Sequence, residues 1–172
     1  MAFTYDGSGN AILDVGGTVS APAIRLRSAT NTGIYSPSTS ELAFSVAGSA
    51  KVQVLTGRTI INNDLACNSY REGITALGNS GTSKTMAVGG VQTCTLTGSC
   101  TFTMPGTAAV HSGRSMTLRL GTGTGGFTAA FTGVKWPGGV APTATATASR
   151  VDIFCFFSDG TNWYGSAVQN YV

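Results

Sequence analysis

The chain has 172 residues, enough for one domain or two small ones, and 10% of them are charged, against about 25% in ordinary globular proteins. Its net charge of +3 comes from lysines and arginines that form no run or stripe, which argues against nucleic-acid binding. A surface with so little charge predicts that copies of the chain or other partners cover part of it.

Membrane, metal and cofactor functions are also disfavoured. The N-terminal residues MAFTYDGSGN lack the basic and apolar regions of a signal peptide, and the longest strongly apolar run, residues 153–157, is too short to cross a bilayer. We therefore expect no membrane insertion, and synthesis in a cytoplasm. His111 is the only histidine and the cysteines show no CxxC spacing, so we predict no metal site, no cofactor and no thiol-histidine catalysis. The cysteines are predicted to be small apolar core residues: Cys67, Cys94, Cys100 and Cys155.

A first β module with short strands and frequent turns is predicted for residues 1–61. Apolar side chains alternate along two of its strands, which gives each strand one apolar face. These side chains are Leu42, Phe44, Val46, Val52 and Val54. A single sheet of this kind buries too little surface to be stable alone, so we expect it to stack or intertwine with identical chains.

A polar stretch rich in Gly, Ser and Asn, residues 62–84, is predicted to connect this module to a second one over residues 85–172. We predict that the second module consists of antiparallel hairpins. One hairpin would place Leu96 opposite Cys100. The next would place Leu120 opposite Phe127.

The loop of that second hairpin, residues 121–126, has the GxGxxG spelling of a dinucleotide-binding fingerprint. The fingerprint requires a following helix whose N-terminus receives the pyrophosphate. The next residues, FTAAFTGVKW, have no helical spacing of apolar side chains, so we interpret the glycines as a structural loop. Further on, Gly133 marks a change of apolar parity that is typical of a β-bulge.

The centre of the second module is predicted at residues 134–165, because the strand VDIFCFF is apolar on both faces. A two-residue turn at the Asp-Gly dipeptide would place Phe156 opposite Trp163 and Cys155 opposite Tyr164. This register turns the aromatic side chains inward. The predicted core is Leu118, Phe127, Phe131, Trp136, Ile153, Phe154, Phe156, Trp163 and Tyr164.

Several stretches resemble virion proteins of tailed bacteriophages. TCTLTGSCTFTMPG, SMTLRLGTGTGGFTAAFTGVKWPGGVAPT and VDIFCFFSDGTNWYG resemble a C-terminal module found in tail-fibre, head-fibre and decoration-type proteins. Upstream, GTVSAPAIRLRSATNTGIYSPSTSELAFSVAG resembles the short β repeats in the shafts of phage tail fibres. The resemblance covers residues 17–61 and 85–168.

This resemblance implies a homotrimeric, non-enzymatic, β-rich appendage on the virion surface. With the strand patterns, it predicts an all-β fold of two small antiparallel modules, each sandwich or barrel-like. Residues 1–61 would dock on the particle or form a shaft, residues 62–84 would connect, and residues 85–172 would trimerise and project outward. A complete protein of this length is shorter than a typical tail fibre, so we expect a capsid decoration protein, a head fibre or a small tail component.

The leading hypothesis is therefore a virion structural protein whose partners are its own copies and capsid or tail proteins. The alternative is a receptor-binding adhesin at a tail-fibre tip, which would grip a host surface glycan or protein with its distal loops. The candidate recognition residues are Asn31, Tyr35, Thr122, Thr124, Asp159 and Asn162. A third hypothesis, a glycan hydrolase, is disfavoured because no two of the seven acidic residues share a recognisable motif.

Overall fold

The computed structural model describes residues 3–5, 11–13, 17–26, 28–106 and 111–172. They form an all-β chain, as predicted, and the chain divides into two compact units, Met1–Ser69 (unit 1) and Tyr70–Val172 (unit 2). The predicted connector, residues 62–84, contains two strands that belong to the sheets of unit 2. Only residues 62–73, which span the end of unit 1 and the start of unit 2, are free of strands.

Unit 1 contains a strand pair and a five-stranded meander. The pair joins β1 (Phe3–Tyr5) to β2 (Ala11–Leu13). The meander consists of β3 (Ile24–Leu26), β4 (Ala29–Tyr35), β5 (Leu42–Val46), β6 (Ser49–Leu55) and β7 (Arg58–Ile61). All its neighbouring strands are antiparallel and follow chain order, because each connection is a short turn.

One face of this meander is apolar and exposed. Phe44 of β5 is opposite Ile34 of β4 and Val52 of β6, and Val52 is opposite Ile61 of β7. Residues that are directly opposite each other share a face of a sheet. We call this surface the apolar face, and its members are Ile34, Leu42, Phe44, Val46, Val52, Val54 and Ile61. The predicted alternation is thus confirmed, but the buried side chains of β5 are Ala43 and Ser45 on the other face.

The described residues of unit 2 form nine strands in two sheets. They are β8 (Ile74–Asn79), β9 (Ser83–Thr85), β10 (Val91–Thr95), β11 (Cys100–Thr103), β12 (Ser115–Gly121), β13 (Ala129–Thr132), β14 (Val134–Lys135), β15 (Val151–Ser158) and β16 (Trp163–Tyr171). A large sheet has the order β14-β16-β15-β12-β10-β8, and a small sheet has the order β13-β11-β9.

The first six strands of unit 2, β8 to β13, follow a helical path, so that successive strands belong alternately to the large and the small sheet. β8, β10 and β12 are parallel neighbours in the large sheet, while β9, β11 and β13 are parallel neighbours in the small one. Each strand of one sheet serves as the crossover between parallel strands of the other. The hairpins predicted from Leu96 to Cys100 and from Leu120 to Phe127 are therefore wrong, because each would join strands of different sheets. Unit 2 is mixed rather than purely antiparallel.

Antiparallel strands complete the large sheet of unit 2. β15 pairs with β12 on one side and β16 on the other, and β16 also pairs in parallel with β14. Gly133 (φ +78°) lies where the chain passes from β13 in the small sheet to β14 in the large sheet, so the predicted bulge is a crossing point between sheets.

The two sheets enclose one core, which makes unit 2 a sandwich rather than a barrel. Phe131 of the small sheet lies 4.7 Å from Phe154 and 5.6 Å from Phe156 of the large sheet, measured between ring centroids. The predicted core residues that belong to this cluster are Leu118, Phe127, Phe131, Trp136, Phe154, Phe156 and Trp163.

Ile153 and Tyr164 were predicted in this core and lie outside it. In the last hairpin Phe157 is opposite Tyr164 and Phe156 is opposite Gly165, two positions away from the predicted register. The shift arises because the loop spans residues 159–162 rather than two residues. Tyr164 is 42% exposed beside Phe157, and Ile153 shares their outer face.

Candidate functional site

Two of the candidate recognition residues, Tyr35 and Thr122, are buried and offer no side chain to a partner. Tyr35 ends β4 with 4% of its surface exposed. Thr122 is 1% exposed, and its hydroxyl donates to the carbonyl oxygen of Thr147 (2.7 Å) and accepts from the N–H of Arg150 (2.9 Å). It therefore fixes the corner after β12 to a neighbouring segment.

Asn31 and Thr124 are exposed, and neither lines the cleft described below. Asn31 belongs to β4 rather than to a loop, and its carbonyl oxygen accepts from the N–H of Gly48 (2.8 Å). Thr124 lies in the glycine loop between β12 and β13, which leads into a strand and not into a helix. The prediction that no helix follows this loop is confirmed, since the next element is the strand β13, which begins at Ala129.

Asp159 organises the last hairpin loop. One oxygen of its carboxylate accepts from the N–H groups of Thr161 and Asn162, both at 2.7 Å, and the other accepts from the Tyr164 hydroxyl at 3.0 Å. The bonds from Asn162 and Thr161 hold the pKa of Asp159 below its ordinary value, and the bond to the carboxylate raises the pKa of Tyr164. These bonds also explain why the loop is wider than a two-residue turn.

A cleft of about 350 Å³ lies beside this loop, at the end of the sandwich where β11 and β13 finish. Because these strands are parallel and in register, Thr103 and Thr132 are neighbours, and the Thr132 hydroxyl donates to that of Thr103 at 3.1 Å. The cleft is lined by Thr103, Met104, Gly106, Thr132, Gly133, Thr161, Asn162 and Trp163. Three threonines and Asn162 supply its polar residues, and the buried Trp163 also lines it.

Of the predicted recognition residues, Asn162 lines this cleft and Asp159 shapes it through the loop. The sequence analysis did not predict that Thr103 and Thr132, at the ends of β11 and β13, also line the cleft. The dipeptide Phe-Thr at Phe102-Thr103 and at Phe131-Thr132 is in register in the small sheet. The sequence contains it four times, however, so it gave no usable signal for this pairing.

His111 lies next to the buried tryptophan of the cleft, with its ring centroid 5.7 Å from that of Trp163. Within the part of the chain that the structure describes, three buried nitrogen atoms have no hydrogen-bond partner: Nδ1 of His111 and Nε1 of Trp136 and Trp163. These rings pack among apolar side chains with one N–H or ring nitrogen unpaired.

Asp152 is the buried acidic residue of the described chain, and its bonds are structural. Its carboxylate accepts from the N–H and the hydroxyl of Thr145 (both 2.7 Å), from Nε2 of Gln169 (3.2 Å) and from the N–H of Asn170 (2.9 Å). Burial alone would raise the pKa of Asp152, but these bonds outweigh it and hold the pKa below its ordinary value. Asp152 thereby ties the segment before β15 to the end of β16.

The cysteines are all free thiols, and the prediction of their burial holds for two of them. Cys94 and Cys100 are buried, whereas Cys67 and Cys155 are exposed. Burial, and for Cys94 also the neighbouring Cys100, raises the pKa of both buried thiols. Among residues 3–5, 11–13, 17–26, 28–106 and 111–172, no group of three or more His, Cys, Asp or Glu is placed to hold a metal ion. No helix of this described part is long and apolar enough to cross a membrane.

No family model matches the chain, and neither a curated protein nor a solved structure is significantly similar to it.

Proposed function

We propose that this chain is a structural subunit of a bacteriophage virion, a homotrimeric β-rich appendage such as a head decoration protein, a head fibre or a short tail-fibre component. The observation that carries the proposal is the apolar face of unit 1. Five of its side chains are 38% to 49% exposed on a sheet that has little buried apolar surface of its own. An exposed patch of this size marks an interaction surface.

The location of the hydrophobic core supports different roles for the two units, display for unit 2 and assembly for unit 1. Every member of the core cluster lies in unit 2, which therefore has the interior of an independent display module. Among the described residues, the sheet of unit 1 has no such interior, as expected of a segment that is completed by assembly. The resemblance to virion proteins of tailed bacteriophages suggests that the assembly is displayed on a phage particle.

The mass of the purified full chain in solution tests this proposal. We expect light scattering behind size exclusion to give three times the chain mass of 17.5 kDa. Antibodies against the protein should then label intact particles on the head or the tail in electron micrographs. A stable monomer, or particles without label, would contradict the proposal. Degradation of a host polysaccharide by the purified assembly would contradict its non-enzymatic part.

A second candidate function, adhesion to a host surface glycan, is favoured by the cleft. Its polar residues Thr103, Thr132 and Asn162 suit a polyhydroxylated ligand, and the buried Trp163, which also lines the cleft, is a fluorescent reporter. A panel of neutral oligosaccharides titrated into the full chain should change its tryptophan fluorescence. Asn162→Ala should abolish the change, whereas Asn79→Ala, at the end of β8, should not. No response to any oligosaccharide would remove this candidate.

A further inference from the structure

We infer that a groove on the outer face of the large sheet, at the ends of β8 and β10, binds an acidic sugar through Arg119. We call it the arginine groove. Its volume is about 350 Å³, and its lining includes Ala76, Gly78, Asn79, Thr93, Thr95 and Arg119. It shares no lining residue with the cleft beside the last hairpin loop. The inference is independent of the proposed function, because it concerns side chains of unit 2 and requires no assembly.

A β-bulge in the edge strand β8 shapes the arginine groove. The register of β8 and β10 shifts after Ala76 and Thr93, where Leu77 is the additional residue. Leu77 packs against the core, and Gly78 follows it with φ +71°, a conformation that favours glycine. Ala76 and Asn79 would lie on opposite faces of a regular strand, but the bulge places both on the outer face. The groove lies over the small residues Ala76 and Gly78.

Arg119 supplies the charge of the groove. It lies on β12 opposite Thr93, and its neighbours Leu118 and Leu120 are buried in the core, so its exposed side chain lies on the outer face. Within the described residues, its guanidinium forms neither an ion pair nor a side-chain hydrogen bond. The planar N–H donors of a guanidinium match a carboxylate with two parallel hydrogen bonds.

The acidic residues described in unit 2 are placed elsewhere. Asp152 is buried on the core face with its own four donors, and Asp159 is bonded within the last hairpin loop. Glu72 packs against Gly90 before β8 and β10 begin, about 15 Å or more from the ends of these strands. A ligand carboxylate would therefore meet a cation that has no acidic partner in its own unit.

The uncharged polar residues of the groove favour a sugar over a bare anion. Thr93 and Thr95 contribute hydroxyls and Asn79 an amide, and in the part of the chain that the structure describes none of these side chains is hydrogen-bonded. Such groups both donate to and accept from sugar hydroxyls. One guanidinium neutralises one carboxylate, whereas a phosphate ester carries about −1.5 to −2 charges at pH 7. The ligand class is therefore a sugar with a single carboxylate, such as a uronic acid.

Glucuronate and glucose are a matched pair of probes, because one has a carboxylate where the other has a hydroxymethyl group. In saturation-transfer NMR with the full chain, we expect glucuronate to bind at least tenfold more tightly than glucose. Added salt should weaken the binding of glucuronate, because the contact is between exposed opposite charges. Inorganic phosphate is the competitor that tests for a simple anion site.

Three variants locate the binding. Arg119→Gln should weaken glucuronate binding at least tenfold. Arg114→Gln removes another exposed arginine of unit 2, which does not line the groove, and should leave binding unchanged. Ala76→Leu fills the groove without changing the charge and should also weaken binding. Both tryptophans lie in unit 2, so an unchanged emission shows that this unit is folded in each variant.

The outcomes separate the inference from the proposed function. An absence of glucuronate binding, or equal binding by the wild type and Arg119→Gln, would overturn the inference, and a trimeric mass would still support the proposed function. Binding of glucuronate by a monomeric chain would support the inference and contradict the proposed function. Displacement of glucuronate by an equal concentration of phosphate would overturn the assignment to a sugar and show a simple anion site.

Discussion

Asp152 keeps its charge inside the sandwich because four donors surround it. In Asp152→Asn, the amide group cannot accept all of these bonds, and at least one N–H or O–H donor of Thr145, Gln169 or Asn170 loses its partner beside a buried side chain. We expect a loss of about 2–3 kcal/mol in the free energy of unfolding. Urea denaturation followed by tryptophan fluorescence measures it. The exposed Asp64→Asn is the control, and an equal effect of the two substitutions would contradict this role of Asp152.

The same carboxylate predicts a pH dependence. Because the pKa of Asp152 is lower in the folded chain than in the unfolded one, its contribution to stability is present above about pH 3.9 and is lost as the pH falls through the folded value. Stability measured between pH 6 and pH 2 should therefore fall more steeply in the wild type than in Asp152→Asn. Asp159, whose pKa is also lowered, is present in both proteins, so the difference between the curves reports Asp152. Parallel curves would contradict the prediction.

Gly165 makes room for the Trp136 ring. A Cβ at this position would lie 2.6 Å from Cζ3 of Trp136 and 2.8 Å from Cγ1 of Val134, closer than side chains pack. We expect Gly165→Ala to displace the ring, to cost about 1–3 kcal/mol of stability and to shift the tryptophan emission. Gly81→Ala, where a Cβ meets nothing within 4 Å, should change neither quantity. An unchanged emission in Gly165→Ala would show that the ring is not confined there.

Which side chains are buried could be read from the sequence only where strand parity was unambiguous. Phe154, Phe156 and Trp163 were correctly placed because alternation fixes one face of a strand. Ile153 and Tyr164 were misplaced because the strand Val151–Ser158 was predicted to be covered on both faces, whereas its face with Cys155 and Phe157 is exposed. The register shift of two positions leaves Tyr164 on that exposed face.

Among the elements, Phe131 is the link between the two sheets of unit 2. Its ring lies within 5.6 Å of four others, those of Phe102, Trp136, Phe154 and Phe156. Phe131→Ala should remove these contacts and leave a cavity, at a cost of about 3–5 kcal/mol in the free energy of unfolding. The matched control is Phe157→Ala, whose ring is 46% exposed on the outer face. Thermal unfolding of the two variants gives the comparison, and equal midpoints would contradict the role of Phe131.

The strands themselves were predictable, but their partners were not. Residues around Cys94 and Cys100 alternate as two strands with a turn between them, and such a pattern normally indicates a hairpin. In the folded chain Cys94 is paired with Leu120 of β12, and Cys100 is paired with Ala129 of β13. Alternation specifies which face of a strand is buried but not which strand lies beside it. Parallel pairing also leaves no local signal, because its partners are far apart in sequence.

At the scale of the whole molecule, two sheets expose broad surfaces: the five-stranded sheet through its apolar face and the large sheet through its outer face. The outer face contains Phe157 and Tyr164 but also polar side chains such as Thr117 and the charged Arg119. Its composition is that of a solvated surface, whereas the described residues in register across the apolar face include no charged side chain. The arrangement predicts that assembly covers the first surface and leaves the second in water.

Cys155 lies on the outer face of the large sheet and makes this prediction measurable without any substitution. With a thiol-specific reagent such as Ellman's, the native assembly should react at the two exposed thiols, Cys67 and Cys155, and not at Cys94 or Cys100. The buried thiols should remain protected because burial excludes the reagent and raises their pKa, which disfavours the reactive thiolate. All four should react in denaturant. If Cys155 instead reacts only after dilution has dissociated the assembly, the interface lies on the large sheet, and the apolar face of unit 1 has some other cover.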